Sequence, residues 1–132
     1  MAHLFTFTSG RFSRAQEPPN PINDIGGHGV LAWLAAELRR LQIAATDPDA
    51  EDWGWYSSVT ADGVSYLLGA SGEWEDADAG TRWVVQLERH RSLWDKVSGA
   101  NKLESDDALS MRIEALLRDE PEFSVLLVER DG

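Results

Sequence analysis

Trp53-Gly54-Trp55-Tyr56-Ser57-Ser58-Val59-Thr60-Ala61-Asp62-Gly63-Val64-Ser65-Tyr66-Leu67-Leu68-Gly69-Ala70 is the stretch whose reading decides the fold. Trp53, Trp55, Ser57 and Val59 alternate onto one face, and Val64, Tyr66, Leu68 and Ala70 do the same. Between the two runs stands Asp62-Gly63, the pair a two-residue type I′ turn prefers, because both central positions need a positive φ. Closing that turn sets Val59 opposite Tyr66, Ser57 opposite Leu68 and Trp55 opposite Ala70. All six fall on one face, so the turn and the pattern agree on a single register. A hairpin with one apolar face needs further elements to cover that face.

Downstream, an acidic loop from Ser71 to Gly80 leads to Arg82–Arg89, which alternates again. Trp83, Val85 and Leu87 point inward and Arg82, Gln86 and Glu88 outward, completing a three-stranded meander. His90–Lys102 has only Leu93, Trp94 and Val97 as apolar residues and reads as either a short helix or a loop. Ser105 or Asp106 caps a second helix whose stripe is Leu109, Ile113, Leu116 and Leu117, and Pro121 stops it. Phe123–Val128 is apolar on both faces and reads as a last, well-covered strand.

Upstream, His3–Thr8 reads as a strand with Phe5 and Phe7 on one side and Leu4 and Thr6 on the other. A loop rich in proline and glycine follows at about 10–29, long for the inside of a compact domain. From His28 to Gln42, the residues Val30, Leu31, Leu34, Leu38 and Leu41 follow helical spacing, with Trp33 at the edge of the stripe. The expected fold is α+β: an antiparallel sheet of four to five strands and two main helices, in the order β-α-β-β-β-α-β, covered on one or both faces. Residues 1–132 read as a single domain.

Charge is unevenly spread along the chain. Twelve Lys and Arg stand against 23 Asp and Glu, a formal charge of −11. Residues 47–80 hold nine acids (Asp47, Asp49, Glu51, Asp52, Asp62, Glu73, Glu75, Asp76 and Asp78) and no base, whereas 81–102 carry a net +3. Such an acidic chain repels phosphates, which argues against nucleic acid as a partner. No apolar run approaches the ~20 residues needed to span a bilayer, so no membrane is expected. The start shows no signal-peptide pattern, and the expected location is cytoplasmic. The absence of cysteine excludes disulfides, thiolate metal sites and cysteine nucleophiles.

The motifs that carry chemistry elsewhere lack their context here. Gly27-His28-Gly29-Val30-Leu31-Ala32 fits G-x-G-x-x-A, but a turn-rich stretch precedes it where a dinucleotide fold needs a strand. The glycines then bend the chain into the helix, and the helix-start amides retain a weaker role as a small-anion site. Asp47-Pro48-Asp49-Ala50-Glu51-Asp52 resembles the start of a calcium loop, but Asp52 stands where that loop needs glycine and Ser58 where it needs glutamate. His3, His28 and His90 make no local metal pair. Gly69-Ala70-Ser71-Gly72 is one residue short of a nucleophile elbow. No catalytic residue, metal site or cofactor is expected, and the chain does not read as an enzyme.

Six tryptophans remain to be explained. Trp55 and Trp83 fall on inward faces. Trp74, within Glu73-Trp74-Glu75-Asp76, either contacts a partner or folds back as a lid, and an aromatic among acids suits a cationic surface.

With Glu51-Asp52-Trp53-Gly54-Trp55-Tyr56 opening the hairpin, the chain resembles a family of small uncharacterised bacterial proteins over about Phe5 to Val128. The resemblance implies no activity and no catalytic residues. Acidic bacterial single domains of this type include toxin immunity proteins and contact-dependent regulators, an analogy of type alone. The arrangement also resembles SH2-like domains, but Arg82 points outward, so the phosphate-binding arginine is missing.

The first functional expectation is a non-enzymatic acidic interaction module, immunity- or regulator-like, that binds a basic protein through Asp49, Glu51, Trp74, Glu75, Asp76 and Asp78. The alternative is a small-molecule-binding protein or weak enzyme with a pocket under the 10–29 loop, formed by His28, Trp53 and Tyr56. A third reading is a homodimer, favoured where the outer face of Phe123–Val128 is an exposed edge.

Overall fold

The computed structural model describes residues 2–74, 80–90, 93–100 and 102–130. Glu75, Asp76 and Asp78 therefore lie outside the described residues. Within them, seven antiparallel strands form one sheet: β1 (His3–Ser9), β2 (Ala44–Ala45), β3 (Asp49–Glu51), β4 (Gly54–Ala61), β5 (Val64–Ser71), β6 (Thr81–Arg89) and β7 (Ser124–Glu129). Three helices accompany them: α1 (His28–Arg40), α2 (Leu93–Ser98) and α3 (Ala108–Asp119). The sheet order is β2-β4-β5-β6-β1-β7, and β3 joins β4 on the same edge as β2.

The central hairpin has the expected register: Val59 pairs with Tyr66, Ser57 with Leu68 and Trp55 with Ala70. Asp62 and Gly63 both adopt positive φ, 50° and 77°, as the type I′ turn requires. The sheet has two more strands than the expected four to five. The additions, β2 and β3, hold two and three residues on either side of Pro48, too short for an alternation to show. His90–Lys102, open between helix and loop, contains α2.

One face of the sheet is the core. Phe5 and Phe7, Trp55 and Val59, Leu68 and Ala70, and Trp83, Val85 and Leu87 all point to it and are buried. Both long helices bury their stripes against that same face, α1 through Val30, Leu31, Leu34, Ala35 and Leu38, and α3 through Leu109, Ile113 and Leu117. Leu41, expected in the first stripe, is exposed because it follows the last helical residue as C-cap. The N-cap of α3 is Asp107 rather than Ser105 or Asp106; its side chain accepts the Ser110 N–H at 3.0 Å.

β7 corrects the expectation of a well-covered last strand. It forms one edge of the sheet, with Val125 73% and Leu127 51% exposed. Phe123 is buried just before the strand begins, and Leu126 and Val128 pack against the core. Among the described residues no layer covers the opposite face of β7, so apolar residues there remain in solvent.

The 10–29 loop is fastened to the domain at several points. Asn20 Nδ2 donates to the carbonyls of Glu51 and Gly54, while its Oδ1 accepts the N–H groups of Ile22 and Asn23. Phe12 packs edge-on against Trp83, with ring centroids 6.0 Å apart. Gly26 bridges to Gly72 by two backbone hydrogen bonds. Glu17 Oε1 accepts the N–H groups of Gly27 and His28, satisfying two of the amides left unpaired at the start of α1. A carboxylate thus already sits at the helix start where the sequence left room for a small anion.

Candidate functional site

The face of the sheet opposite the helices positions the candidate site. Residues alternating with the buried set point outward there: Leu4 and Thr6 from β1, Tyr56 and Ser58 from β4, Leu67 from β5, and Arg82, Val84 and Gln86 from β6. Ala50 packs on the core side of β3, so Asp49 and Glu51 on either side of it share the outer face with Tyr56. The Tyr56 hydroxyl lies 3.5 Å from Asp49 Oδ2.

Trp53 lies on this outer face as well. A Cβ added at Gly69 would stand 2.6 Å from its ring, and Gly69 pairs with Tyr56 on one side and Gln86 on the other. The ring therefore lies against the sheet where a glycine makes room for it. Next to it opens a groove of about 350 Å³ lined by Trp53, Ile25, Ser71, Glu73, Arg82 and Val84. Arg82 and Glu73 are both exposed.

A second cavity, of about 240 Å³, lies under the 10–29 loop. Arg14, Glu17, Pro18, Asn20 and Asp24 line it on the loop side, and Trp74 forms its far wall. Arg14 and Asp24 form an ion pair at its rim.

The expected site residues separate into distinct places. Asp49 and Glu51 stand together on the outer face at the β3 edge. Their carboxylates accept the neighbouring N–H groups of Ala50 and Asp52, and neither forms an ion pair among the described residues. Trp74 is separate from this pair of carboxylates and lines the cavity under the loop together with Asn20. It folds back over Gly26, whose Cβ would lie 2.6 Å from its ring, and meets Trp83 edge-on at 5.4 Å. The ring thus folds back onto the domain and remains only half-buried. Glu75, Asp76 and Asp78 lie outside the described residues.

His28, Trp53 and Tyr56 do not meet. His28 stacks edge-on against Trp55, 4.8 Å away, on the core side of the sheet. Trp53 and Tyr56 are on the opposite side, so β4 runs between the histidine and the other two. The cavity under the loop has other walls.

A polar cluster buried at the far end of the core resembles catalytic machinery in composition only. His3 Nδ1 lies 2.7 Å from Ser110 Oγ, and Arg130 Nε donates to the same oxygen at 3.0 Å. Glu114 holds both Arg130, at 2.7 Å, and Arg118, at 2.8 Å. Burial, reinforced by Arg130, pushes the His3 pKa below its ordinary value, so the ring is neutral at physiological pH. The arginines hold the Glu114 carboxyl below its usual range. Tyr66 donates to Asp107 at 2.8 Å, and burial together with that bond pushes its hydroxyl up to about 12. His3 is 1% and Ser110 0% exposed, so no substrate reaches the pair, and its role is to tie β1, α3 and the residues after β7 together.

Several residues of these sites gave no signal in the sequence. Arg82 and Glu73 stand out in the sequence only as an outward strand residue and a member of the acidic block, with nothing local to join them, and Ile25 belongs to a loop. Glu17 and Asn20 act on partners 10 to 34 positions away, which no local pattern reveals. Compared with known proteins, the chain matches no family model, no curated sequence and no solved structure.

Proposed function

We propose that this chain is a non-enzymatic interaction module, immunity- or regulator-like in kind, that binds a basic protein partner with the outer face of its sheet. One observation carries this reading. Both long helices cover the same face, and the uncovered face brings the carboxylates of Asp49 and Glu51 beside the aromatic side chains of Tyr56 and Trp53. Elsewhere the fold matches acids with bases, as in Glu114 with Arg118 and Arg130 or Asp47 with Arg39. Asp49 and Glu51 enter no ion pair among the described residues, so a basic partner provides the complementary charge. Aromatic rings at the centre with charges around them is the usual composition of a binding surface.

The test is affinity capture from native lysate at low and at high salt, comparing the native chain with Asp49→Lys/Glu51→Lys. The expected result is a basic protein retained at low salt by the native chain, released at high salt, and lost from the charge-reversed variant. Equal capture by both chains would sink the proposal.

The β7 edge favours a second reading, self-association, because its exposed Val125 and Leu127 accompany unpaired backbone groups along the strand.

A further inference from the structure

The groove beside Trp53 shares that ring with the surface at the β3 edge but has a charge pattern of its own. Ser71 pairs with Val84, so continuing that antiparallel register places Glu73 across from Arg82. Opposite charges directly across a strand pair normally bond to each other. Here they line one groove, both exposed, and neither enters an ion pair among the described residues. An unpaired guanidinium in a chain of net charge −11 is a conspicuous feature, because acids outnumber bases by 23 to 12. Between and behind the two charges stand Trp53, Val84 and Ile25, an indole ring and two branched aliphatic side chains, with the hydroxyl-bearing Ser71 alongside.

We propose that this groove is a binding site for a free α-amino acid with an apolar side chain. The Arg82 guanidinium presents a planar fork that matches a carboxylate through two parallel hydrogen bonds. Glu73 receives the ammonium group, which sits one carbon from that carboxylate. Trp53, Val84 and Ile25 take the apolar side chain. The volume of about 350 Å³ suits a ligand of this size and stands at the small end of the ~300–1,000 Å³ typical of ligand sites. The pairing of one cation with one anion selects a zwitterion over a simple acid or a simple amine, since either of those leaves one charge of the groove unanswered.

The test is isothermal titration of the full chain with L-leucine, with 4-methylpentanoic acid, which lacks its amine, and with 3-methylbutylamine, which lacks its carboxylate. Leucine is expected to bind, and each analogue to bind about tenfold more weakly or worse, the loss of one charge-assisted contact. Arg82→Met and Glu73→Gln, both at exposed positions with no packing role, are each expected to weaken leucine by a similar factor. Arg82→Met should also bring leucine level with 3-methylbutylamine, and Glu73→Gln should bring it level with 4-methylpentanoic acid. Absence of leucine binding at millimolar concentration overturns the proposal. So does an analogue that equals leucine in the native chain, or a variant that binds leucine as the native chain does.

Discussion

Each of three tryptophan rings lies against a glycine, whose missing side chain gives the ring its place. Trp53 covers Gly69, Trp74 covers Gly26, and Trp83 packs on Gly72, where a Cβ would stand only 2.4 Å from the ring. Gly72→Ala therefore forces the fully buried Trp83 to move, an overpacking that typically costs about 1–3 kcal/mol. Gly63→Ala meets nothing within 4 Å and bears only the cost of its positive φ, about 1 kcal/mol. Urea titration of the two variants should place Gly72→Ala below Gly63→Ala in unfolding midpoint; the reverse order would show that the Trp83 contact is not tight. The same scale governs the response to pH. The native state keeps His3 neutral below 6.5, where the unfolded chain takes up a proton, so stability should fall as pH drops through that value toward the lowered native one. At the alkaline end, the unfolded chain releases the Tyr66 proton at about 10 and the native state at about 12, so stability is lost as pH rises across that window. Unfolding midpoints measured against pH should show both limbs, and Tyr66→Phe should flatten the alkaline one. A Tyr66→Phe profile identical to the native one would assign that limb to other groups.

Among the elements, α1 depends on a residue far outside itself. Gly27 stands at its N-cap with no side chain to offer, and the Glu17 carboxylate takes that role from the loop. Glu17→Ala should cost about 1 kcal/mol, the usual worth of a helix cap, and Glu17→Gln less, because the amide keeps an acceptor oxygen. Thermal melts followed by circular dichroism would check this; equal midpoints for Glu17→Ala and the native chain would mean that water replaces the carboxylate fully. The long elements were legible because their patterns are local: the Asp62-Gly63 turn with its flanking alternation, the α1 stripe, and the α3 stripe ahead of Pro121. β2 and β3 were not, since two and three residues hold no period. The loop read only as a long connection rich in proline and glycine, because its fasteners, Asn20 and Glu17, act across the fold. The site was less legible still. The groove takes its walls from residues 25, 53, 71–73, 82 and 84, which only the sheet register brings together. Trp53 and Tyr56 read as neighbours of His28 until β4 came between them.

The whole molecule is a one-sided sandwich with two unlike edges. The β2/β3 edge is short, interrupted by Pro48 and lined with carboxylates, all features that discourage pairing with another strand. The β7 edge lacks these guards over Val125–Val128, and Val125 holds a φ of 55°, a strained conformation for a β-branched residue. Light scattering should then show concentration-dependent dimerisation of the native chain that Leu127→Lys abolishes without lowering the melting temperature. A monomer at every concentration would leave the outer face, not the edge, as the surface that binds.

The place of β1 in the sheet has a consequence for how the molecule comes into being. Phe5 pairs with Val85 on one side and with Val128 on the other. During synthesis β1 is thus made before both of the strands that flank it. The β4–β5 hairpin can close while translation continues, but Phe5 and Phe7 stay exposed until β6 has emerged. The sheet is finished only when β7 arrives, so β1 is the strand whose apolar face waits longest for its full set of neighbours.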